Sequence, residues 1–227
     1  MKCSIIIGTL NHLDDCLKPC CEAIINHTDL HDTEVIIVAN GCTDGTREYV
    51  ESLGDPFKLI WFDEPLGYAK ANNAGIIAST GEYIVLLNND AFLLGVNWFD
   101  MLISPFSNPK VGITGPTVTY SPYTNMPFAI FFCAMIKREV FVRIGLLNTE
   151  YEVGAGEDIQ FGADAIIAGY DIVQVPGASV PGDGFMIGGF PVYHRGECTV
   201  NDNPEWNAIF ERNMNKLSLK YVSNETE

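Results

Sequence analysis

The chain has 227 residues, of which 47% are hydrophobic, and it carries a formal net charge of −16 at pH 7. This length and apolar fraction predict one globular domain with a sizeable core and exclude a disordered chain. Because 29 acidic side chains outnumber 13 basic ones, the surface repels phosphate backbones and anionic lipids. Neither a nucleic acid nor a charged membrane surface is therefore an expected partner.

Seven cysteines form an odd set without a CxxC pair or a zinc-binding spacing. This pattern is typical of reduced thiols, so we expect neither disulfides nor structural zinc, and we expect a cytoplasmic location. The apolar run near the start and the run FAIFFCAMI at 128–136 are too short to cross a bilayer, so no membrane span is predicted.

The first ninety residues alternate short β-branched runs with segments of helical length. Strands are predicted at the near-continuous apolar runs 4–7, 34–38, 58–62 and 82–87. Helices are predicted between them, over about 12–27, 43–52 and 68–78. Apolar strands joined by crossover helices indicate a Rossmann-like α/β unit whose parallel sheet is covered on both faces.

The second half of the chain has a more mixed pattern. Helices are predicted near 97–104, from Arg138 onward and over about 157–168, and a strand is predicted at 172–175. Gly and Pro dominate residues 176–191, and this long loop is a candidate lid over a bound ligand.

Polar clusters follow three of the predicted strands: GTLN at 8–11, NGCTDG at 40–45 and NND at 88–90. In an open α/β sheet, ligands bind at the carboxyl ends of the strands, where loops and helix N-termini converge. Each cluster alone is equally consistent with an ordinary turn or helix cap. Three clusters at one edge of a sheet favour a binding site.

The two common glycine-rich motifs that bind phosphate are missing from the sequence. Neither GxGxxG nor GxxxxGK[ST] occurs in the sequence. A divalent ion is the other common means of holding a diphosphate, and it prefers carboxylate oxygens on a rigid turn. Asp90, one step past a buried strand, is the candidate ligand. His194 in VYHRG is a second candidate because imidazole binds manganese-like ions, although a lone histidine is more often structural.

Two further groups of residues are candidates for chemistry. Glu157 and Asp158 open a predicted helix, where the helix dipole favours ionised carboxylates. Since successive helical residues point about 100° apart, one of the two can face a cleft as a base, and compensation of the dipole is the alternative. Lys70, Asn72 and Asn73 are candidates for phosphate or ribose contacts, with a solvated helix face as the alternative.

Read together, five stretches resemble the family-two glycosyltransferases of the GT-A fold, and most closely the rhamnosyltransferase type: SIIIGTLNHLDDCLKPC, VIIVANGCTDGT, GYAKANNAGIIASTGEYIVLLNNDAF, FFCAMIKREVFVRIGLLN and GAGEDIQFGADAIIAGYDIV. They cover almost the whole chain. The resemblance implies an α/β fold with a central, mostly parallel sheet flanked by helices and a mixed acceptor side. It implies one domain over 1–227, with a nucleotide-binding half at about 1–90, an acceptor and catalytic half at about 91–200, and a C-terminal helix at about 201–222.

The resemblance also implies roles for individual residues. It implies that Thr9, Asn11 and Asn40 contact the nucleoside. With the candidates from the residues themselves, the predicted nucleotide-sugar-binding set is Thr9, Asn11, Asn40, Lys70, Asn73, Asn88 and Asn89. Asn88 and Asp90 take the outer positions of the Asp-x-Asp motif, Asp158 is the general base beside Glu157, and His194 completes the metal site. The family often has Asp where this chain has Ala39 and an acidic residue where it has Asn88, so the ion is offered one carboxylate fewer.

The implied activity is inverting transfer of a hexosyl or deoxyhexosyl group from a UDP-, dTDP- or GDP-sugar, with Mn²⁺ or Mg²⁺ as cofactor, in glycan biosynthesis. The acceptor would be a hydroxyl of a glycan, a lipid-linked glycan or a protein, and the segment 117–128, with Tyr120 and Tyr123, is expected to face it.

Two other functions stay open. A catalytically silent nucleotide-sugar or glycan-binding module is suggested by the depleted acidic motif. A nucleotidyltransferase would share a Rossmann-like half and metal-dependent handling of nucleotides, but that class usually has a Gly-rich, basic loop after the first strand, which residues 8–12 lack.

Overall fold

Eleven strands lie in the part of the chain that this computed structural model describes, residues 2–151, 153–175, 189–196 and 204–221. In chain order they are β1 (Cys3–Thr9), β2 (Thr33–Asn40), β3 (Phe57–Phe62), β4 (Tyr83–Leu87), β5 (Ala91–Leu93), β6 (Val111–Gly115), β7 (Val118–Tyr120), β8 (Pro127–Ala129), β9 (Cys133–Lys137), β10 (Asp171–Gln174) and β11 (Val192–His194).

The same residues contain seven α-helices: α1 (Lys18–His27), α2 (Thr46–Leu53), α3 (Tyr68–Ala78), α4 (Trp98–Ile103), α5 (Arg138–Ile144), α6 (Glu157–Ile167) and α7 (Trp206–Tyr221). A π-helical turn at Leu13–Leu17 leads into α1, and a 3-10 turn at Ser104–Ser107 follows α4. No helix within the described ranges is long and apolar enough to cross a membrane.

The central sheet has seven strands in the order β10-β6-β9-β4-β1-β2-β3. The neighbouring pairs β1/β2, β2/β3, β1/β4 and β10/β6 are parallel, whereas β9 runs antiparallel to both β4 and β6. This confirms the predicted mostly parallel sheet in an α/β fold with a mixed second half. The antiparallel strand β9 is the point at which the mixed half begins.

Helices cover both faces of this sheet, which explains why the strand sequences are apolar throughout. Along β1, Ile5 and Ile7 point to one face and Ile6 to the other, because successive side chains alternate in a strand. The first face is covered by α1, α2 and α4, and the second by α3, α5 and α6. Both apolar clusters are buried, as expected for a doubly covered parallel sheet.

The predicted helices and strands agree with the structure except at their ends and in the shortest strands. The segment predicted as one helix over 12–27 is a π-helical turn followed by α1, and α2 starts at Thr46 instead of near 43. Of the predicted lid loop 176–191, residues 176–188 lie outside the described residues. The C-terminal helix extends over Trp206–Tyr221.

Two small antiparallel sheets complete the fold. β5 pairs with β11, and β7 pairs with β8 to form a hairpin. The β5/β11 pairing has direct consequences for the candidate site, because it sets His194 opposite Ala91, the residue that follows Asp90.

Candidate active site

The carboxyl ends of β1, β2 and β4 carry a connected set of polar side chains, here called the polar rim: Thr9, Asn11, Asn40 and Asn89. The Asn40 side-chain amide donates to the Thr9 carbonyl oxygen at 2.9 Å, and the Asn89 amide donates to Thr9 Oγ1 at 3.0 Å. Thr9 Oγ1 in turn donates to the Asn11 carbonyl oxygen at 3.2 Å. The structure therefore brings together residues that the sequence places on three separate strands.

These bonds leave different amounts of each side chain open to a ligand. Thr9, Asn40 and Asn89 are buried, and Asn40 Oδ1 also accepts a hydrogen bond from the Leu66 N–H at 3.0 Å. Asn11 lies further out and is half-buried in a left-handed conformation, with Oδ1 accepting from the Thr43 N–H at 2.8 Å. Asn11 is thus the best exposed member of the rim, and the buried members fix its shape.

Asp44 stabilises the rim from the β2–α2 loop, and the sequence analysis missed it. Its Oδ2 accepts from the Leu13 N–H at 3.1 Å, and its Oδ1 accepts from the Thr46 N–H at 3.2 Å. One carboxylate therefore caps two successive helical segments, the π-helical turn and α2, and joins the loops after β1 and β2. Asp is a common capping residue, so the pattern NGCTDGT contains the signal for this role.

Asp90 and His194 form the candidate metal pair. Asp90 is 5% exposed, and its Oδ1 lies 3.2 Å from His194 Nε2. The Arg195 N–H donates to the Asp90 carbonyl oxygen at 3.0 Å, and the imidazole stacks on the Phe132 ring at a centroid distance of 4.4 Å. The β5/β11 pairing and this stacking hold the two side chains together although they are far apart in the sequence.

The geometry of this pair fits a divalent cation. His194 Nε2 is buried and has no hydrogen-bond partner, although the Asp90 carboxylate lies within ion-pair distance. A ring nitrogen and a carboxylate oxygen that converge without a hydrogen bond between them are placed as two ligands of one ion are placed. The Asn88–Asp90 turn is closed by a bond from the Ala91 N–H to the Asn88 carbonyl oxygen at 3.1 Å, so Asp90 sits on a rigid support.

Arg195 ties this pair to the start of the chain. Its Nη1 donates to Asp15 Oδ2 at 2.8 Å and to the Asp15 carbonyl oxygen at 3.0 Å. Within the described residues, one group of three or more metal-ligand types lies close together, and it comprises His12, Asp15 and Cys16. Because a guanidinium group already contacts its carboxylate, we assign that group a structural role in anchoring β11.

Glu157 and Asp158 stand at the N-terminus of α6, at the end of a loop with unusual backbone angles. Val153, Ala155 and Gly156 have φ values of 61°, 70° and 108°, and the first two are not glycines. A β-branched residue such as Val153 rarely adopts a left-handed conformation, and such strain is found most often at functional sites. We call residues 153–158 the catalytic loop because Asp158 is the candidate base, a role that is a proposal.

Two long-range hydrogen bonds hold the catalytic loop in this conformation. The Tyr68 N–H, at the start of α3, donates to the Val153 carbonyl oxygen at 2.9 Å. The Asn213 side-chain amide, from α7, donates to the Gly154 carbonyl oxygen at 2.8 Å. The C-terminal helix therefore takes part in shaping the loop that presents Asp158.

Burial changes the acidity of both carboxyl groups at this helix end. Burial raises the pKa of Glu157, the nearby charge of Asp158 raises it further, and Glu157 Oε2 has no hydrogen-bond partner. Burial also raises the pKa of Asp158, although backbone amides oppose this effect, among them the Ile159 N–H at 2.8 Å from Oδ1. The pair thus favours one shared negative charge, and Asp158 is the better stabilised as an anion.

Tyr68 lies between the two acidic groups, and the sequence analysis did not single it out. Burial raises the pKa of its hydroxyl, and the charges of Glu157, Asp158 and Asp90 raise it further. Its hydroxyl donates to the Phe131 carbonyl oxygen at 2.8 Å. The Tyr68 N–H bonds to Val153 of the catalytic loop, and its hydroxyl bonds to Phe131, the neighbour of the Phe132 ring that stacks on His194, so Tyr68 connects the loop of the candidate base with the candidate metal pair.

The α3 residues divide into exposed and buried positions. Lys70 is exposed near the start of α3, where a phosphate could reach it. Asn73 is buried, and its side chain makes two hydrogen bonds to the backbone of Leu147. It donates to the Leu147 carbonyl oxygen at 2.8 Å and accepts from the Leu147 N–H at 3.0 Å. Asn73 therefore secures the loop after α5, and its predicted contact with the donor does not fit this position. Asn72 is buried as well, so the alternative interpretation of Asn72 and Asn73 as part of a solvated helix face is wrong.

Comparison with known proteins identifies a matching family and several relatives. The family model described as "Glycosyl transferase family 2" matches residues 4–125, more than half of the chain. The protein y4gI of Sinorhizobium fredii is 24% identical over 98% of this chain, and the O-antigen biosynthesis protein RfbC of Myxococcus xanthus is 26% identical over 71% of it. The chain spans only 28% and 16% of the lengths of these two relatives.

Solved structures match at the level of the fold. The mannosyltransferase PcManGT from Pyrobaculum calidifontis, in complex with GDP-Man and Mn²⁺, superposes with a TM-score of 0.63 at 22% identity, over 77% of this chain and 55% of its own. GalNAc-T7 with UDP, GalNAc and Mn²⁺ superposes with a TM-score of 0.65 at 16% identity, over 76% of this chain and 42% of its own. The α/β architecture described above is the GT-A fold.

Proposed function

Because this chain belongs to glycosyl transferase family 2, we propose that it transfers a sugar from a nucleoside-diphosphate sugar to a hydroxyl acceptor, with inversion at the anomeric carbon. The observation that carries the proposal is the buried, unbonded Nε2 of His194, which lies 3.2 Å from the carboxylate of Asp90, the residue after Asn89 of the polar rim. Family membership argues against the nucleotidyltransferase alternative.

The donor is proposed to bind along the polar rim. The structural neighbours are described with GDP-Man or with UDP, GalNAc and Mn²⁺, which supports a nucleotide-sugar as the class of donor and a divalent metal as the cofactor. Asn11 of the rim and Asn88, which precedes the rim residue Asn89, are half-buried, and Lys70 is exposed near the start of α3. We assign nucleoside contacts to Thr9, Asn11 and Asn40, and phosphate contacts to Lys70, with Asn88 and Asn89 positioning the turn.

Asp90 and His194 would hold the metal ion. When bound there, Mn²⁺ or Mg²⁺ supplies positive charge to the departing diphosphate. With a single carboxylate and a single imidazole from the protein, the remaining ligands would be diphosphate oxygens and water, so ion and donor should bind together. Asn88, which offers an amide in place of a second carboxylate, makes this mutual dependence stronger.

Asp158 is proposed as the general base. As the acceptor oxygen bonds to the anomeric carbon from the face opposite the nucleotide, the bond from that carbon to the diphosphate oxygen breaks, and the hydroxyl proton passes to Asp158. Raising the pKa of a carboxylate strengthens it as a base near neutral pH. A neutral Glu157 beside it would leave the negative charge of the pair on Asp158.

A catalytically silent donor-binding module remains the second candidate, and the depleted acidic motif at Asn88 favours it. Both functions predict donor binding, but only the transferase predicts turnover. The test is to incubate the chain with UDP-, dTDP- and GDP-sugars, Mn²⁺ or Mg²⁺ and a mixture of glycan acceptors. Release of nucleoside diphosphate and the anomeric configuration of the product, read by NMR, are then measured. Metal-dependent release with inverted product supports the proposal, whereas tight donor binding with neither hydrolysis nor transfer supports the silent module.

A further inference from the structure

A surface pocket of about 290 Å³ lies between the β7–β8 hairpin and α7, and the reaction as described above makes no use of it. Its lining residues are Tyr123, Phe210, Glu211, Met214 and Asn215. This volume is near the lower end of the range for small-molecule sites, and the lining combines aromatic faces with a few polar groups, as such sites usually do.

Both walls of the pocket rest on α6, the helix whose first turn carries Asp158. On one side, Met214 Cε lies 3.3 Å from the position that a Cβ on Gly156 would occupy, and Met214 shares an apolar cluster with Ile159. On the other side, a Cβ on Gly162 would stand 2.7 Å from the Cβ of Phe128 in β8, so the hairpin approaches α6 closely. The pocket is therefore built beside the proposed base.

Tyr123 is partly buried and packs against the apolar cluster that contains Met214 and Ile159. The Tyr123 N–H donates to Ser121 Oγ at 3.1 Å, and the Asn125 N–H donates to the Ser121 carbonyl oxygen at 2.9 Å, which together fix the tip of the hairpin. Phe210 is 40% exposed and pairs with Trp206 at a centroid distance of 6.4 Å. Phe210 therefore presents an exposed aromatic ring at the pocket.

From these features we infer that the pocket is an acceptor subsite for a neutral glycan, with a pyranose ring against Tyr123 and Phe210. Glu211 and Asn215 can exchange hydrogen bonds with sugar hydroxyls, since a carboxylate accepts them and an amide both donates and accepts. Among the described residues that line the pocket, Glu211 is the one with a charge, and it would repel an anionic sugar. That the bound glycan is the acceptor rests on the proposed function, whereas the binding of a glycan in this pocket does not.

The binding experiment uses Met214 as the reporter. The chain has six methionines, and labelling their methyl carbons with ¹³C gives a simple NMR spectrum in which Met214→Leu identifies the Met214 signal. The probes are methyl β-D-glucopyranoside, methyl α-L-rhamnopyranoside and the anionic methyl β-D-glucuronide, each at up to about 50 mM, which detects even millimolar affinity. We expect the neutral glycosides to shift the Met214 signal and the glucuronide to leave it in place.

A matched pair of variants locates the binding. Phe210→Ala should weaken the response of the Met214 signal about tenfold, the loss expected for one aromatic contact. Leu219→Ala removes an exposed apolar side chain from the same helix, outside the pocket lining, and should leave the titration unchanged. In transfer assays, Phe210→Ala should raise the acceptor KM by a similar factor, whereas Leu219→Ala should leave it unchanged.

The results separate failure of this inference from failure of the proposed function. If no neutral glycoside moves the Met214 signal, if Phe210→Ala titrates like the unchanged protein, or if the glucuronide binds equally well, the subsite is wrong. If the neutral glycosides bind at Met214 but no nucleotide-sugar binds or turns over, the glycan site stands and the transferase proposal fails.

Discussion

The polar rim and the catalytic loop are built in different ways. The rim is made by residues at the ends of parallel strands, and Asn40, Thr9 and Asn89 satisfy one another through hydrogen bonds. The catalytic loop depends on distant partners, Tyr68 and Asn213, and it contains two non-glycine residues with positive φ. The comparison suggests that the donor side is rigid through its own sheet, whereas the base is positioned by elements added around it.

The largest effect is expected when the proposed base is removed and the polar rim is left intact. Asp158→Asn should lower transfer by a factor of about 10²–10⁴, the usual contribution of a general base, because an amide cannot accept the acceptor proton. Donor binding, measured by calorimetry in the presence of Mn²⁺, should stay within about twofold, since the rim does not involve Asp158. A variant that retained full transfer would remove Asp158 from the mechanism.

A second variant tests whether β11 belongs functionally to the donor side. His194→Ala removes the buried ring nitrogen at the Asp90 carboxylate and should raise the Mn²⁺ concentration needed for half-maximal activity about 10- to 100-fold. The readout is a Mn²⁺ titration of donor turnover, with Tyr193→Ala as the control from the same strand. Equal Mn²⁺ requirements in His194→Ala and in the unchanged protein would show that the imidazole only packs on Phe132.

The dependence of the catalytic loop on α7 is tested at Asn213. Asn213→Ala removes the donor to the Gly154 carbonyl oxygen, and leaving that group unpaired should cost about 1–3 kcal/mol in the free energy of unfolding. Asn73→Ala, which frees the backbone of Leu147 away from the catalytic loop, is the matched comparison. Urea denaturation should show losses of similar size, but only Asn213→Ala should also lower the transfer rate of the folded protein. Parallel losses of rate in both variants would contradict a specific role for α7.

The smallest expected effect concerns pH. Because burial raises the pKa of Glu157 above its ordinary value, the folded state binds a proton that the unfolded state releases between these two pKa values. The stability of the fold should therefore fall as pH rises through that window, and it should be unaffected by this group below the ordinary pKa of a glutamate. Glu157→Gln should flatten this slope in urea denaturation at several pH values. A variant whose stability fell with pH as steeply as that of the unchanged protein would count against the buried neutral carboxyl.

The raised pKa of Asp158 also predicts the direction in which the transfer rate changes with pH. Burial raises the pKa of Asp158, and only its ionised form accepts a proton, so transfer should increase with pH through that raised pKa.

The strands and the polar rim could be predicted from the sequence, whereas most contacts of the metal pair and of the catalytic loop could not. Strong apolar periodicity marked the parallel strands, and Asn or Asp after β1, β2 and β4 marked the rim. The approach of His194 to Asp90 depends on β5 and β11, which have three residues each and are too short for a hydrophobic pattern. Asp158 and Glu157 were placed at a helix start by the pattern, but the choice of Asp158 as the base came from family resemblance.

Other roles could not be predicted because they depend on contacts between distant segments. An asparagine such as Asn73 is a common ligand-binding residue, and only the fold shows that its side chain is hydrogen-bonded to the backbone of Leu147. Tyr68 follows a glycine at the start of a helix and gives no signal of its own, yet its hydroxyl lies within the influence of all three acidic groups.

Asp90 is proposed to couple donor binding to a metal ion, and this coupling can be measured by thermal unfolding. Thermal unfolding is followed with UDP-, dTDP- and GDP-sugars, with and without Mn²⁺, for the unchanged protein and for Asp90→Ala. A bound donor raises Tm by mass action, and we expect at least one donor to do so only when Mn²⁺ is present. In Asp90→Ala this rise should disappear, while Asn88→Ala should only reduce it. An unchanged Mn²⁺-dependent rise in Asp90→Ala, or no rise for any donor with either protein, would contradict the claim.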